Sequence, residues 1–354
     1  MRRQTSARLS AVIAVLTALA ALSVAVVVAQ PPARAAAAAS AGSCQSLRIA
    51  VALAPGAPAD QTVAGTLCRP AAQPVANRVD VLVHGASYNQ SYWDWPVDSG
   101  TYSYSYVHRT LAAGRATFAY DRLGAGASSH PLSTLVTTVA DAYVLHEVIG
   151  AMRADGFAGV DVVGHSFGSV VAVDEAGTYH DVDKLVVTGL LHSQGSGLAT
   201  VAATFYPADA DPQFGPLFAD AGYLTTLPGT RASSFYDTAT ADPAVITYDE
   251  GHKDAISGTE LSAGVTESEL PASTNPSRLV TAPVLVLDGQ EDGIFCNLTL
   301  NCSDIASVLA EETPFYAGTA RLAVTTVAGT GHDVALHPSA DQSFAAIDRW
   351  IASD

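Results

Sequence analysis

Past its first 40 positions the chain alternates between two kinds of segment. Short runs that are apolar throughout, rather than at every second residue, occur in Asn77–Gly85 (NRVDVLVHG), Arg115–Asp121 (RATFAYD), Gly159–Val163, Lys184–Thr188, Ala282–Leu287 and Arg321–Val327. They are too short for helices and most are rich in β-branched residues, so they predict strands buried on both faces. Between them lie segments with helical spacing. Leu135, Val139, Ala142, Leu145, Ile149 and Met152 step by three or four and predict one amphipathic helix ending near Asp155-Gly156. Helices are also expected over Tyr102–Ala113 and Ser339–Ala352, and edge strands over Leu47–Leu53 and Gln61–Leu67, separated by Pro55, Gly56 and Pro58. Buried strands alternating with helices predict an α/β fold, a mostly parallel central sheet flanked by helices.

One segment breaks the alternation. His192–Leu279 has no apolar strand run and carries Phe205, Tyr206, Phe214, Phe218, Tyr223, Phe235, Tyr236 and Tyr248. It reads as an insertion over the sheet, a cap spanning 192–279, with the core formed by 39–191 and 280–354.

The first 38 residues stand apart. Arg2, Arg3 and Arg8 precede an uninterrupted apolar run, Ala11–Ala29, followed by an Ala-rich stretch containing Ala33-Arg34-Ala35. This is the layout of a secretory signal, with cleavage expected between Ala35 and Ser43; the run is also long enough for an uncleaved anchor. The leader carries four arginines and no acid, so its removal takes the formal charge from −17 to −21. Such acidity argues against nucleic acid and anionic membrane surfaces as partners. The Ala-rich, Lys-poor composition looks like high-GC bacterial coding, so an extracellular bacterial protein is expected. Four cysteines in an exported chain suggest two disulfides; of the three possible connectivities, Cys44–Cys68 and Cys296–Cys302 keep the loops smallest. No C-x-x-C pair and no histidine at ligand spacing points to metal.

In a parallel sheet the ligand site lies beyond the carboxyl ends of the strands. Reading those ends gives His84-Gly85-Ala86, Asp121-Arg122-Leu123-Gly124, Gly164-His165-Ser166-Phe167-Gly168, Asp288-Gly289-Gln290-Glu291-Asp292 and Gly331-His332. A serine, an acid and a histidine follow in that order, each beyond its own strand. Glycines two residues either side of Ser166 fit a turn so sharp that larger side chains would collide with the neighbouring strand and helix. Through these five features the chain, from about Asn77 to its C-terminus, resembles the α/β-hydrolase fold superfamily.

The resemblance implies a role for each residue. Ser166 would be the nucleophile, His332 the general base and then acid, and Asp292 the group holding the histidine tautomer. The backbone N–H groups of Ala86 and Phe167 would form the oxyanion hole. His337, His84 and His165 compete with His332, and Asp288 and Glu291 with Asp292. His84 is expected to fix the oxyanion turn, His165 the elbow, Asp288 to be a turn or cap residue, and Asp121 with Arg122 to form a buried pair. The aromatic loop after His84 suggests that Tyr88, Tyr92 and Trp93, with His165, contact substrate; the alternative is that the indoles anchor the loop on the core.

Serine rather than aspartate or cysteine at the elbow departs from the epoxide-hydrolase, haloalkane-dehalogenase and dienelactone-type members. What remains is acyl transfer to water. The expectation is a secreted serine hydrolase cleaving an ester or lactone of a small to medium apolar molecule, with no metal or organic cofactor in the chemistry. An exported aminopeptidase, binding a substrate ammonium through Asp237, Asp242, Asp249 or Glu250, is the alternative. A non-catalytic binding protein is a further one.

Overall fold

A computed structural model describes residues 42–71, 77–98, 100–215, 218–297 and 299–353. The leader lies outside the described residues. The chain opens with an antiparallel hairpin, β1 (Gly42–Val51) and β2 (Gln61–Pro70), in which Cys44 stands directly opposite Cys68 and is joined to it by a disulfide. Strand β3 (Arg78–Val83), helix α1 (Tyr106–Ala112), β4 (Ala116–Tyr120), α2 (Thr138–Ala154), β5 (Gly159–His165), α3 (Phe167–Tyr179) and β6 (Lys184–Thr188) follow in strict alternation. After an excursion the alternation resumes with β10 (Val284–Gly289), α8 (Ile305–Glu312), β11 (Leu322–Val327) and α9 (Ala340–Ala352). The resulting eight-stranded sheet has the order β1-β2-β4-β3-β5-β6-β10-β11, parallel from β4 to β11 and antiparallel only through β1 and β2.

Burial explains the pattern. Every residue of β4, β5 and β10, and every residue of β3 and β6 after the first, is buried, which is why these strands read as unbroken apolar runs. The outermost strand β11 is only partly covered.

The excursion between β6 and β10 contains α4 (Gly197–Ala202), β7 (Phe205–Pro207), β8 (Tyr223–Thr226), α5 (Arg231–Phe235), α6 (Pro243–His252), β9 (Ile256–Ser257) and α7 (Gly258–Ser268). Its three strands form a separate sheet, β7-β8-β9, beside a small apolar cluster of Ala208, Phe214, Phe218, Tyr223 and Ala255. Strands of two to four residues are too short to register as a run, so the sequence showed only their aromatics.

Two helix starts differ from the expected ones. Tyr102 adopts a positive φ of 57°, and Ser105 accepts from the His108 N–H at 2.8 Å, so α1 begins at Tyr106. Thr137 caps α2 by accepting from the Ala140 N–H at 3.1 Å, leaving Leu135 in a preceding 3-10 turn. Leu135 thus lies before the helix and is 50% exposed; Val139, on the outward side of its first turn, is 73% exposed, and the buried apolar face begins at Ala140.

Asp121 and Arg122 are both buried, yet they pair with other groups rather than with each other. Asp121 accepts from the Gln90 N–H and side chain and from the Ala127 N–H, closing the loop after β4. Arg122 instead reaches Asp141 on α2 at 2.9 Å and Glu260 on α7, and its guanidinium lies over the Phe167 ring. A cation from the core thus holds a carboxylate of the excursion. Replacing Arg122 with Met should strand both carboxylates and cost about 3–5 kcal/mol, read as a lower denaturant midpoint in urea unfolding.

Candidate active site

A single residue, Ser166, separates β5 from α3, at φ 52° and ψ −122°. Side chains rarely occupy this backbone region, and close packing holds it here. A Cβ on Gly168 would stand 2.3 Å from the Val83 carbonyl oxygen and 2.5 Å from that of His84, and one on Gly164 would stand 2.7 Å from the Gly168 carbonyl oxygen. The two glycines let the helix start press against β3 and its own strand. The Ser166 N–H donates to the Thr188 carbonyl at 2.8 Å, and the Ser169 hydroxyl bridges the Thr188 carbonyl and N–H. The turn is thereby tied to β6, and Ser166 faces a cavity, partly exposed.

His332 follows β11 and Asp292 follows β10. His332 Nδ1 lies 2.8 Å from Asp292 Oδ2, while Asp292 Oδ1 accepts from the Ile294 N–H at 2.8 Å. A carboxylate facing Nδ1 requires the proton on that nitrogen, so the neutral ring presents an unprotonated Nε2. That Nε2 is buried and hydrogen-bonds to no described residue, Ser166 included. Burial opposes the imidazolium, but the charge and hydrogen bond of Asp292 outweigh it and raise the His332 pKa. On Asp292, burial works upward; the His332 charge and bond, Asp288 and the Ile294 N–H together bring its acid below the usual range.

The rival acids separate cleanly. Glu291 is exposed. Asp288 is wholly buried on β10, not a surface turn residue: Oδ1 accepts from the Gly289 N–H, and burial first, then the Asp292 charge, push its acid well above the carboxylate range. Only Asp292 of the three hydrogen-bonds His332.

The other histidines are committed elsewhere. His84 accepts from the Arg122 N–H at Nε2 and donates from Nδ1 to the Gly85 carbonyl, both at 2.9 Å, bracing the turn before Ala86. His337 accepts the Gly331 and Asp237 N–H groups at Nε2 and donates from Nδ1 to the Asp333 carbonyl. His165 lies with Nε2 3.1 Å from Asp333 Oδ1 and Nδ1 3.2 Å from the Thr188 hydroxyl. Burial is the largest influence on all three and lowers each pKa, favouring neutral rings.

Ser166 opens onto a cavity of about 80 Å³ whose walls include Val170, Leu198, Val201, Phe205, Leu261 and Phe295. Among the described residues that line it, none is charged and only Ser166 and Ser268 are polar. Ala86 and Phe167 also line it. Phe167 is the first residue of α3, so its N–H has no intrahelical acceptor, and neither residue's N–H donates to another described group.

The aromatic loop after β3 does not reach this cavity. Tyr88, Tyr92, Trp93 and His165 are buried among themselves and are absent from its walls. Tyr92 stacks on His165 at 4.3 Å, and Trp93 packs edge-on against Tyr92 and Tyr106. The Tyr88 hydroxyl lies 2.5 Å from Asp333 Oδ2 and 3.0 Å from Asp249 Oδ2. These rings anchor the loop beneath the site. The four residues expected to contact substrate do not line this cavity, whose wall comes from α3, α4, α5, α7, β7 and the turn after Asp292. Of the wall residues outside the elbow and oxyanion turn, only Phe205 and Phe235 drew notice in the sequence. The Cys296–Cys302 disulfide closes that turn, where the Cys296 N–H donates to the Asp292 carbonyl at 2.8 Å.

A model of the alpha/beta hydrolase family matches residues 81–346. No curated protein matches the chain. Among solved structures, the chain is similar to a thermophilic esterase from Thermogutta terrifontis at 18% identity, covering 87% of this chain and 98% of that one with a TM-score of 0.57. It is likewise similar to the monoacylglycerol lipase of Paleococcus ferrophilus at 16% identity, over 82% and 98% of the two chains with a TM-score of 0.54. The enol-lactonase of Burkholderia xenovorans LB400 aligns at 14% identity over 83% and 97%, also with a TM-score of 0.54. At these identities the likeness is one of fold.

The steric reading of the elbow has a direct check. Gly168→Ala should lose about 3 kcal/mol or fail to fold, because the clash is with backbone. Gly150→Ala, on α2 with open space around its Cβ position, should be neutral or up to about 1 kcal/mol stabilising. Thermal unfolding of the two variants compares them.

Proposed function

We propose, from the premise that this chain belongs to the alpha/beta hydrolase family, that it is a secreted serine hydrolase acting on a carboxylic ester or lactone of small to medium apolar character. The observation that carries the reading is a serine held at positive φ at the wall of a cavity without a charged side chain. His332, with Asp292 on one nitrogen and the other uncommitted, supplies the base.

In this mechanism the Ser166 oxygen attacks the acyl carbon while His332 Nε2 takes the hydroxyl proton. The carbonyl electron pair moves onto oxygen and is received by the Ala86 and Phe167 N–H groups. When the tetrahedral adduct collapses, the bond to the alkoxide breaks and the imidazolium returns the proton to it. Water then repeats the sequence on the acyl-enzyme, using the same base. Asp292 keeps the proton on Nδ1 throughout. The excursion between β6 and β10 acts as the cap of this site, since α4, β7 and α7 supply much of the acyl wall.

The cavity favours an ester over an aminoacyl substrate. An ammonium needs a carboxylate partner, and none of the four acids considered for it lines the cavity. Asp249 is buried against Arg231, Asp242 caps α6, Glu250 accepts the Gly229 and Arg231 N–H groups, and Asp237 holds its own turn. Two disulfides are compatible with an extracellular setting, and no described helix is long and apolar enough to cross a membrane.

Two measurements test the reading. A fluorophosphonate should add one label, on Ser166, and the protein should turn over short-chain p-nitrophenyl esters but not aminoacyl anilides. Ser166→Ala should lose the label and at least about 10⁴-fold in kcat. A folded protein with neither label nor turnover would instead favour a binding role. Second, because the raised His332 must be neutral to act as base, kcat/KM should fall as pH drops, with a midpoint above the ordinary histidine value of about 6.5. Asp292→Asn removes the raising charge while burial remains, so its residual activity should show the midpoint moved to lower pH.

A further inference from the structure

Where α2 packs along α3, a second group of polar side chains converges, none of it lining the Ser166 cavity. His146 comes from α2, Glu175 from α3 and Asp181 from the turn leading to β6. One nitrogen or oxygen from each lies within 4.8 Å of the others. His146 Nδ1 is 2.7 Å from Asp181 Oδ2 and 3.8 Å from Glu175 Oε1, and the imidazole stacks on Tyr179 at 4.2 Å, which sets its plane. Arg153 donates to the Asp181 carbonyl and to the Asp183 carboxylate, holding the turn that carries Asp181.

Glu175 is the anomaly. It is wholly buried, and neither carboxyl oxygen accepts a hydrogen bond among the described residues. Asp181 Oδ1 is also buried and has no donor among the described residues, and the Glu175 and Asp181 carboxyls can hydrogen-bond each other only when one of them is protonated. Buried carboxylates without donors are costly and call for a counter-charge. Among the described residues, the only basic side chain these oxygens directly contact is the His146 imidazole.

We propose that His146, Glu175 and Asp181 bind a divalent transition cation such as zinc, clamping α2, α3 and the following turn together. Zinc takes imidazole nitrogen and carboxylate oxygen at about 2.0–2.2 Å, which spaces tetrahedral ligands about 3.4 Å apart. Shifts of about 1 Å in the side chains reach that spacing from the observed one. His146 and Asp181 are 37% and 25% exposed, so the ion can enter from solvent and keep a water as its fourth ligand. The imidazole selects zinc-like ions over magnesium and calcium, which prefer all-oxygen sites. Sequence spacing conceals the site, because its ligands come from three separate elements. Its role is stability, since none of its residues borders the cavity.

The competing occupant is a proton on Glu175, whose acid burial first and Asp181 next push up to about 10. Zinc titration of the leaderless protein, disulfides intact and stripped with a chelator, separates the two. The expected result is one zinc per chain by elemental analysis and a Tm rise of about 4 °C at a hundredfold excess over Kd, with no rise from magnesium. Glu175→Gln should keep the metal-free Tm, being neutral like the protonated acid, and lose the zinc response. His146→Gln, at a partly exposed position, gives the same readout if the first variant fails to fold. No bound zinc in the wild type, or an equal Tm rise in the variants, would overturn the proposal.

Discussion

The contact between the start of α3 and the end of β3 is the constraint on which the rest depends. With Gly168 pressed against the Val83 and His84 carbonyls, only one residue can join β5 to α3, and that residue must take a left-handed conformation. A backbone of this kind costs on the order of 1–3 kcal/mol and persists only where its surroundings over-determine it. Here they do: the Ser166 N–H is fixed to β6, Ser169 repeats the connection one turn later, and the strands on both sides are buried along nearly their whole length. The parallel sheet stabilises the strain, and the strain presents the hydroxyl to the cavity.

The excursion is fastened to this core by buried charge. Arg122 holds Glu260 on α7, and Arg231 on α5 is paired with Asp249 on α6 at 2.7 Å while lying over the Tyr88 and Phe235 rings. Tyr88 joins the two systems, with Asp249 and Asp333 on its single hydroxyl. Asp333 is the residue after His332, and Phe235 lines the cavity. The cavity wall and the loop carrying the proposed base therefore share one buried assembly. A buried ion pair is weak evidence for net stability, since desolvation offsets most of the attraction. What it supplies here is position: removing either partner leaves the other charged and buried.

This division explains what could be read from the sequence. Strand ends were legible because burial on both faces writes an unbroken apolar run, and the elbow because a steric requirement leaves glycine at fixed spacing. The disulfides were legible from loop length. For Tyr88, Tyr92 and Trp93 the sequence left two readings open, because aromatic content reports that a loop is buried, not which side of it faces substrate. Leu135 continued a helical period that the Thr137 cap cuts off, a cap visible only once Ala140 is seen to donate to it, while Val139 lies on the exposed side of the first turn of α2. Leu198, Val201 and Leu261 left no signal at all, for a leucine facing a cavity and one facing the core are the same letter.

Four histidines among the described residues lie buried around the site, and their hydrogen bonds and the balance of burial against neighbouring charge separate them. His84 and His337 have both ring nitrogens engaged by backbone groups, and His165 sits between Asp333 and Thr188. A proton taken by His84 or His337 would break the bond a backbone N–H donates to its Nε2, and burial drives all three rings toward neutrality. His165 also faces a carboxylate, yet burial still lowers its pKa; at His332 the Asp292 charge and hydrogen bond outweigh burial, and the other nitrogen has no hydrogen bond among the described residues to give up. General-base work requires a free lone pair and a protonated state within reach near neutral pH. Of the four rings, His332 alone meets both conditions, and this is the physical support for proposing it, rather than its neighbours, as the base.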